Sequence, residues 1–250
     1  MSLSTEVRKL TTPQDLFQAA AEEIVRTANA AVAERGRFTI ALSGGSTPRN
    51  LYTLLATNAR TTLPWEQTFF FWSDERHVPP DNSESNYHMA EEAMLAKIPV
   101  LPGNVFRVPA ENPDAAAAAE AYEQTLRKFF APKASEVPRF DLILLGMGPD
   151  GHTASLFPET VALQEESHLV VANWVEKLNT NRITFTLPLI NAARSVAFLV
   201  SGADKAPVLR EVLEGNADGK KYPSKLVRPS EGKVIWFVDR AAASELSVTP

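Results

Sequence analysis

The chain has 250 residues, no cysteine, 25 basic and 30 acidic side chains, and a formal net charge of −5. A chain of this length removes roughly 75% of its unfolded surface from water, so it holds a full core without staples. The missing cysteine excludes a disulfide framework, thiolate metal ligation and a cysteine nucleophile. No apolar run reaches the ~18 residues of a membrane span, and the polar N-terminus lacks the apolar segment of a secretory signal. The acidic balance, without a basic block, argues against nucleic-acid binding. These observations predict a soluble, cytoplasmic, globular protein.

The predicted elements alternate between helix and strand. Thr12-Pro13 reads as a cap hydroxyl followed by proline at the first helical position. Leu16, Ala20, Ile24, Ala28 and Ala31 continue that helix to a stop at Gly36. Phe38–Leu42 reads as a buried strand, residues 48–55 as a helix, and Thr68–Trp72 as a second buried strand. A polar, proline-marked loop follows, then helices at 86–98 and from Asn112-Pro113-Asp114 onward. Residues 141–145 form the most apolar strand, and further strands are predicted at 169–172, 183–187, 196–200 and 234–238. Residues 188–193 and 205–214 read as helices. Apolar strands alternating with helices imply a mainly parallel sheet covered on both faces. We expect one α/β domain over residues 1–250, with 74–110 a candidate for a small subdomain. Ligands of such sheets sit at the carboxyl ends of strands.

Three loops there carry polar residues. The first is Ser43, Gly44, Gly45, Ser46 and Thr47. Its glycines let backbone N–H groups converge, and the following helix adds positive potential, so it reads as a phosphate cradle. The alternative is a tight turn with Thr47 as helix cap. It is neither a Walker loop nor a nucleophile elbow. The second, from Ser73 through Asp74, Glu75, Arg76 and His77, is either a solvated ion-paired loop or part of a site. His77 and His88 lack the spacing of a helical metal pair, so no metal site is read.

The third loop, 146–158, sets three glycines around Asp150 and His152 just after the most apolar strand. Histidine suits proton transfer near neutral pH, and Asp150 is placed to orient its ring. The alternative is a histidine capping the next helix. His168 reads as a surface residue. Arg182 opens a predicted strand and Lys205 a predicted helix. A cation at a helix N-terminus opposes the macrodipole, and a bound anion offsets that.

These residues lie in strings that resemble the 6-phosphogluconolactonase family: LSGGSTPRNLY (42–52), SDERHVPPDNSESNY (73–87) and GMGPDGHTASLFP (146–158). The strings at 182–209 and 234–243 add to the likeness, which runs over roughly residues 10–245. The resemblance implies a Rossmann-like fold shared with glucosamine-6-phosphate deaminases. It implies hydrolysis of 6-phospho-D-glucono-1,5-lactone in the pentose phosphate pathway, with no required cofactor. It makes His152 the general base, supported by Asp150. The Ser43–Thr47 loop, Arg182 and Lys205 would hold the phosphate, and Arg76 would sit at the phosphate or the lactone. A small sugar phosphate is then the only partner expected, with a monomer favoured.

Two rivals stand beside this reading. A deaminase would carry a glutamate where Phe157 stands, although Asp74 matches the position of the deaminase base. A sugar-phosphate sensor of the same fold would carry a DNA-binding segment, and only about a dozen residues precede the first core helix.

Overall fold

The computed structural model describes residues 4–57, 63–133 and 136–247. Its chain order is β1 (Ser4–Leu10), α1 (Pro13–Arg35), β2 (Phe38–Leu42), α2 (Ser46–Thr57), β3 (Thr68–Trp72) and β4 (Asp74–Arg76). Then come α3 (Asn86–Ala93), α4 (Ala115–Phe130), β5 (Leu142–Gly146), β6 (Val170–Val175) and β7 (Thr180–Phe185). The chain closes with α5 (Leu187–Asn191), β8 (Ser195–Val200), α6 (Ala206–Leu213) and β9 (Lys233–Asp239). Six strands form one parallel sheet in the order β1-β9-β8-β5-β2-β3. The apolar strands β2, β5 and β8 are buried nearly throughout, as strands covered on both faces must be. From β2 the chain winds outward to β3, and from β5 it winds the other way to β8. The crevice between the carboxyl ends of β2 and β5 is therefore the topological switch point. No helix among the described residues is long and apolar enough to cross a membrane.

Local chemistry accounts for the helix limits. Thr12 and Asp15 form a reciprocal capping box at the start of α1, at 3.1 and 3.0 Å. Gly36, at φ 72°, returns its N–H to Val32 O at 2.8 Å. Asp114 caps α4 by accepting from Ala116 N and Ala117 N. Two buried tyrosines clip the strand ends that lead to the site. Tyr52 Oη accepts from Ser43 N at 3.0 Å and donates to Ser43 O at 2.9 Å. Tyr122 Oη accepts from Trp72 N at 2.8 Å.

Several predicted boundaries are corrected. The stretch Ser4–Leu10, read without structure, is an edge strand paired along β9. Its Glu6, Arg8 and Lys9 carry no burial signal, because backbone pairing rather than packing holds it. Asp74–Arg76, read as loop, is a strand that pairs with β7, and β7 pairs with β6 in a separate antiparallel sheet. The strands predicted at 169–172 and 183–187 are therefore a hairpin, longer than expected and outside the parallel sheet. Of residues 74–110, only Asp74–Arg76 enters that second sheet. The helix predicted at 48–55 starts at Ser46, so Thr47 and Pro48 lie within its first turn and Thr47 is not its cap. The helix predicted at 86–98 ends at Ala93, and a short 3₁₀ turn follows at Leu95–Lys97. The helix predicted from Lys205 is a 3₁₀ turn, Ala203–Lys205, leading into α6.

On the inner face of α1, Glu23 is 3% exposed among Arg8, Arg26 and Lys233. Burial opposes its charge, but hydrogen bonds from Arg26 and Lys233 prevail and hold its carboxyl at about 2. A carboxyl depressed on folding contributes stability above its unfolded pKa near 4.5, and that contribution is lost as pH falls toward 2. The melting temperature of Glu23→Gln should therefore fall less steeply than that of the parent between pH 4.5 and 2.5. At pH 7 the variant should lose ~1–2 kcal/mol, because its half-exposed cationic partners are partly screened. Parallel Tm–pH curves would contradict this.

Candidate active site

The third loop is built around one short contact. His152 Nδ1 lies 2.5 Å from Asp150 Oδ1, which also accepts from His152 N at 3.2 Å. Lys177, at the tip of the β6–β7 hairpin, binds Asp150 Oδ2. Burial raises the Asp150 pKa, but hydrogen bonds from His152 and Lys177 outweigh it and hold the carboxyl well below the usual range. Asp150 is thus an anion at neutral pH and accepts only, so His152 Nδ1 carries the proton and Nε2 is the basic nitrogen. The ring stacks on Phe157, with centroids 4.1 Å apart at 28°. Lys177 Nζ sits 4.7 Å from the centroid of the same Phe157 ring.

The glycines fit this packing. A Cβ on Gly148 would lie 2.1 Å from His152 Nδ1 and Cε1, so only glycine lets the ring settle there. Gly151, at φ 76°, has its Cβ position occupied by Tyr222, 2.7 Å away. Ala154, at φ 46°, is a left-handed non-glycine residue in the same loop. Such strain is held by the surrounding bonds. Among them, Thr153 Oγ1 donates to Gly146 O at 2.8 Å, and Ser155 N donates to Thr184 Oγ1 at 3.1 Å. No helix begins directly after His152, so it caps none.

Asp74, Arg76, Asp150, His152, Ser155, Phe157, Lys177 and Arg182 line one cleft of about 500 Å³. Asp74 is buried and accepts from Ser155 Oγ at 2.7 Å. Arg76 and Arg182 are directly paired across β4 and β7. Arg182 sits inside β7 rather than at a strand opening, because the strand begins at Thr180. Neither arginine forms an ion pair with a carboxylate among the described residues. Arg76 donates to Glu84 O at 3.4 Å and Arg182 to Asn181 O at 3.3 Å. Burial, and then the charge of Arg76, lower the Arg182 pKa. Two adjacent, half-buried cations that are ion-paired to no carboxylate form a ready anion site.

Glu75 points away from this cleft. Buried, it accepts from Asn86 N at 2.7 Å, Tyr87 N at 2.8 Å and Ser85 Oγ at 3.1 Å, and so caps the start of α3. Burial pushes its carboxyl up against these donors. Asn86 Nδ2 in turn donates to Asp74 O at 2.9 Å. A Cβ on Gly44 would meet Asn86 Oδ1 at 1.8 Å, so the glycine permits that close seating of the first loop. Gly45 has φ 106°, and the buried Ser43 hydroxyl has no partner among the described residues.

The first loop and Lys205 are not in the wall of the His152 cleft. They stand at the carboxyl ends of β2 and β8, the two strands that flank β5. Lys205 Nζ is 2.5 Å from Asp204 Oδ2, so its charge is partly met within its own turn. His168 is exposed, as expected. Lys177 is the residue the sequence reading missed. A lone lysine in a polar hairpin carries no signal, and only the tertiary contact reveals it.

A sequence profile for "Glucosamine-6-phosphate isomerases/6-phosphogluconolactonase" matches residues 11–236. A Nostoc protein named 6-phosphogluconolactonase is 46% identical over 225 residues, covering 90% of this chain and 91% of its own. A Synechocystis protein of the same name is 43% identical, covering 98% of this chain and 99% of its own. Among solved structures, 6-phosphogluconolactonase from Trypanosoma brucei superposes with a TM-score of 0.88 at 31% identity, covering 98% of this chain and all of its own. A monomeric glucosamine-6-phosphate deaminase shares the fold, with a TM-score of 0.80 at 23% identity.

Proposed function

The chain belongs to the glucosamine-6-phosphate isomerase/6-phosphogluconolactonase family, and on that premise we propose that it hydrolyses 6-phospho-D-glucono-1,5-lactone to 6-phosphogluconate, with His152 activating water. The observation that carries the catalytic assignment is the Asp150–His152 contact at the cleft wall. A lactone is an activated ester whose leaving alkoxide stays tethered, so no covalent nucleophile is required. Water attacks C1 while His152 Nε2 takes one of its protons. The C1 carbonyl oxygen becomes an oxyanion, which needs a cation or backbone N–H beside it. On collapse, the C1–ring-oxygen bond breaks, and the imidazolium returns its proton to the departing oxygen. Asp150 stabilises the imidazolium between these steps.

The phosphate, remote from C1, positions the ring through binding energy. Arg182 is its principal partner in this reading, and the 43–47 loop and Lys205 complete the anion site from the flanking strand ends. Arg76, beside Arg182, contacts either the phosphate or the lactone.

The deaminase reading is weighed against this at one position. Phe157, where the resemblance puts a deaminase glutamate, is 6% exposed and stacked on His152, so no proton carrier stands there. Asp74 keeps a carboxylate in the cleft, but Ser155 holds one of its oxygens. The test measures ammonia release from glucosamine 6-phosphate beside acid release from the phosphorylated lactone, on one preparation. Lactone opening above a no-enzyme blank, without ammonia, is expected. Ammonia release without lactone opening would reverse the assignment.

A further inference from the structure

We propose that Lys177 is a positioning residue for the lactone-opening reaction: by binding the second oxygen of Asp150, it keeps the first on His152 Nδ1, so that Nε2 stays bare toward the cleft. The inference rests on the reading of His152 as the base.

Asp150 is flanked on both oxygens. Oδ1 receives His152 and Oδ2 receives Lys177. The two partners come from different elements: His152 from the loop after β5, and Lys177 from the β6–β7 hairpin of the other sheet. Asp150 is therefore a bridge between sheets, and its carboxylate plane is fixed at both ends. The hairpin tip is built to deliver this contact. Residues 176–178 form a 3₁₀ turn that ends on Asn179 at φ 48°. Lys177 Nζ also rests over Phe157, the ring that stacks on His152. One ammonium thus holds both the acceptor of the imidazole and the aromatic floor beneath it.

The charged groups facing the cleft besides His152 and Asp150 are Asp74, Arg76, Lys177 and Arg182. Glu176 and Glu159 lie with Lys177 on the far side of the Asp150 wall. Removing Lys177 frees Asp150 Oδ2, so the carboxylate can turn and Oδ1 can leave His152 Nδ1.

The experiment compares the full chain with Lys177→Met and Lys177→Arg. It uses ¹⁵N NMR of the imidazoles, with His152 assigned by the spectrum of His152→Ala, and blank-corrected kcat/KM from pH 5.5 to 8. In Lys177→Met, the neutral His152 ring should lose its single Nδ1–H tautomer, and kcat/KM should fall with it. Lys177→Arg should keep the parent tautomer and most of the activity. A folded Lys177→Met that keeps the single Nδ1–H tautomer would overturn the proposal. If the tautomer is lost and kcat/KM at pH 8 stays at the parent value, the role of Lys177 stands and the assignment of His152 as base fails.

Discussion

Replacing His152 with alanine should lower kcat for the phosphorylated lactone by about 10²- to 10⁴-fold, with KM changed little. That range is what general acid–base help contributes. The split follows from where the ring sits. Its Nδ1 is committed to Asp150 and its face to Phe157, which leaves Nε2 as the only polar atom free for water. An alanine keeps the loop backbone, whose bonds run through Gly148 N, Gly151 N and Thr153 Oγ1 rather than through the ring. Substrate binding should survive, because the arginines on β4 and β7 are untouched. An effect confined to the chemical step appears as equal losses in kcat and kcat/KM. Circular dichroism and a melting curve establish that the variant is folded. Turnover near the parent rate in a folded variant would remove His152 from the mechanism.

Arg182→Ala should raise KM for the phosphorylated lactone by about 10- to 100-fold and leave KM for unphosphorylated gluconolactone nearly unchanged. A charge-assisted hydrogen bond in a desolvated site is worth ~1.5–3 kcal/mol, and ~1.4 kcal/mol is a factor of ten. Arg182 is half-buried and ion-paired to no carboxylate among the described residues, so its removal leaves no buried carboxylate stripped of an ion-pair partner. The repulsion Arg182 exerts on Arg76 and its attraction to Asp74, Glu84 and Glu75 oppose each other, so the variant should stay folded. Steady-state kinetics on both lactones measure the ratio. Equal changes for the two substrates would contradict a phosphate role for Arg182.

The sequence carried different parts of the molecule to different degrees. The parallel strands other than β1 were legible because each is a short apolar run closed by glycine or a polar turn, as Phe38–Leu42 and Leu142–Gly146 show. The loops after them were legible for the same reason: in a parallel sheet, glycine and charge just beyond an apolar strand have one place to go. The second sheet was not. Its first strand is Asp-Glu-Arg, whose charges belong to an α3 cap and a cleft wall, and no periodicity separates such a strand from a solvated loop. Strand β1 was hidden likewise, since its pairing with β9 is a backbone property. Within the site, His152 and Asp150 declared themselves by spacing, two residues apart in a glycine-rich turn. Arg76 and Arg182 lie 106 positions apart, and only the register of β4 on β7 makes them a pair. Lys177 needed the hairpin geometry as well.

The central claim is that this chain opens a sugar-phosphate lactone by activating water. A pH-stat measurement of acid release from freshly prepared 6-phospho-D-glucono-1,5-lactone tests it most directly, because spontaneous opening is subtracted with a no-enzyme blank. The predicted result is a blank-corrected rate that scales with enzyme concentration, is much lower for unphosphorylated gluconolactone, and collapses in His152→Ala. A rate equal to the blank at every concentration of folded enzyme would contradict the claim.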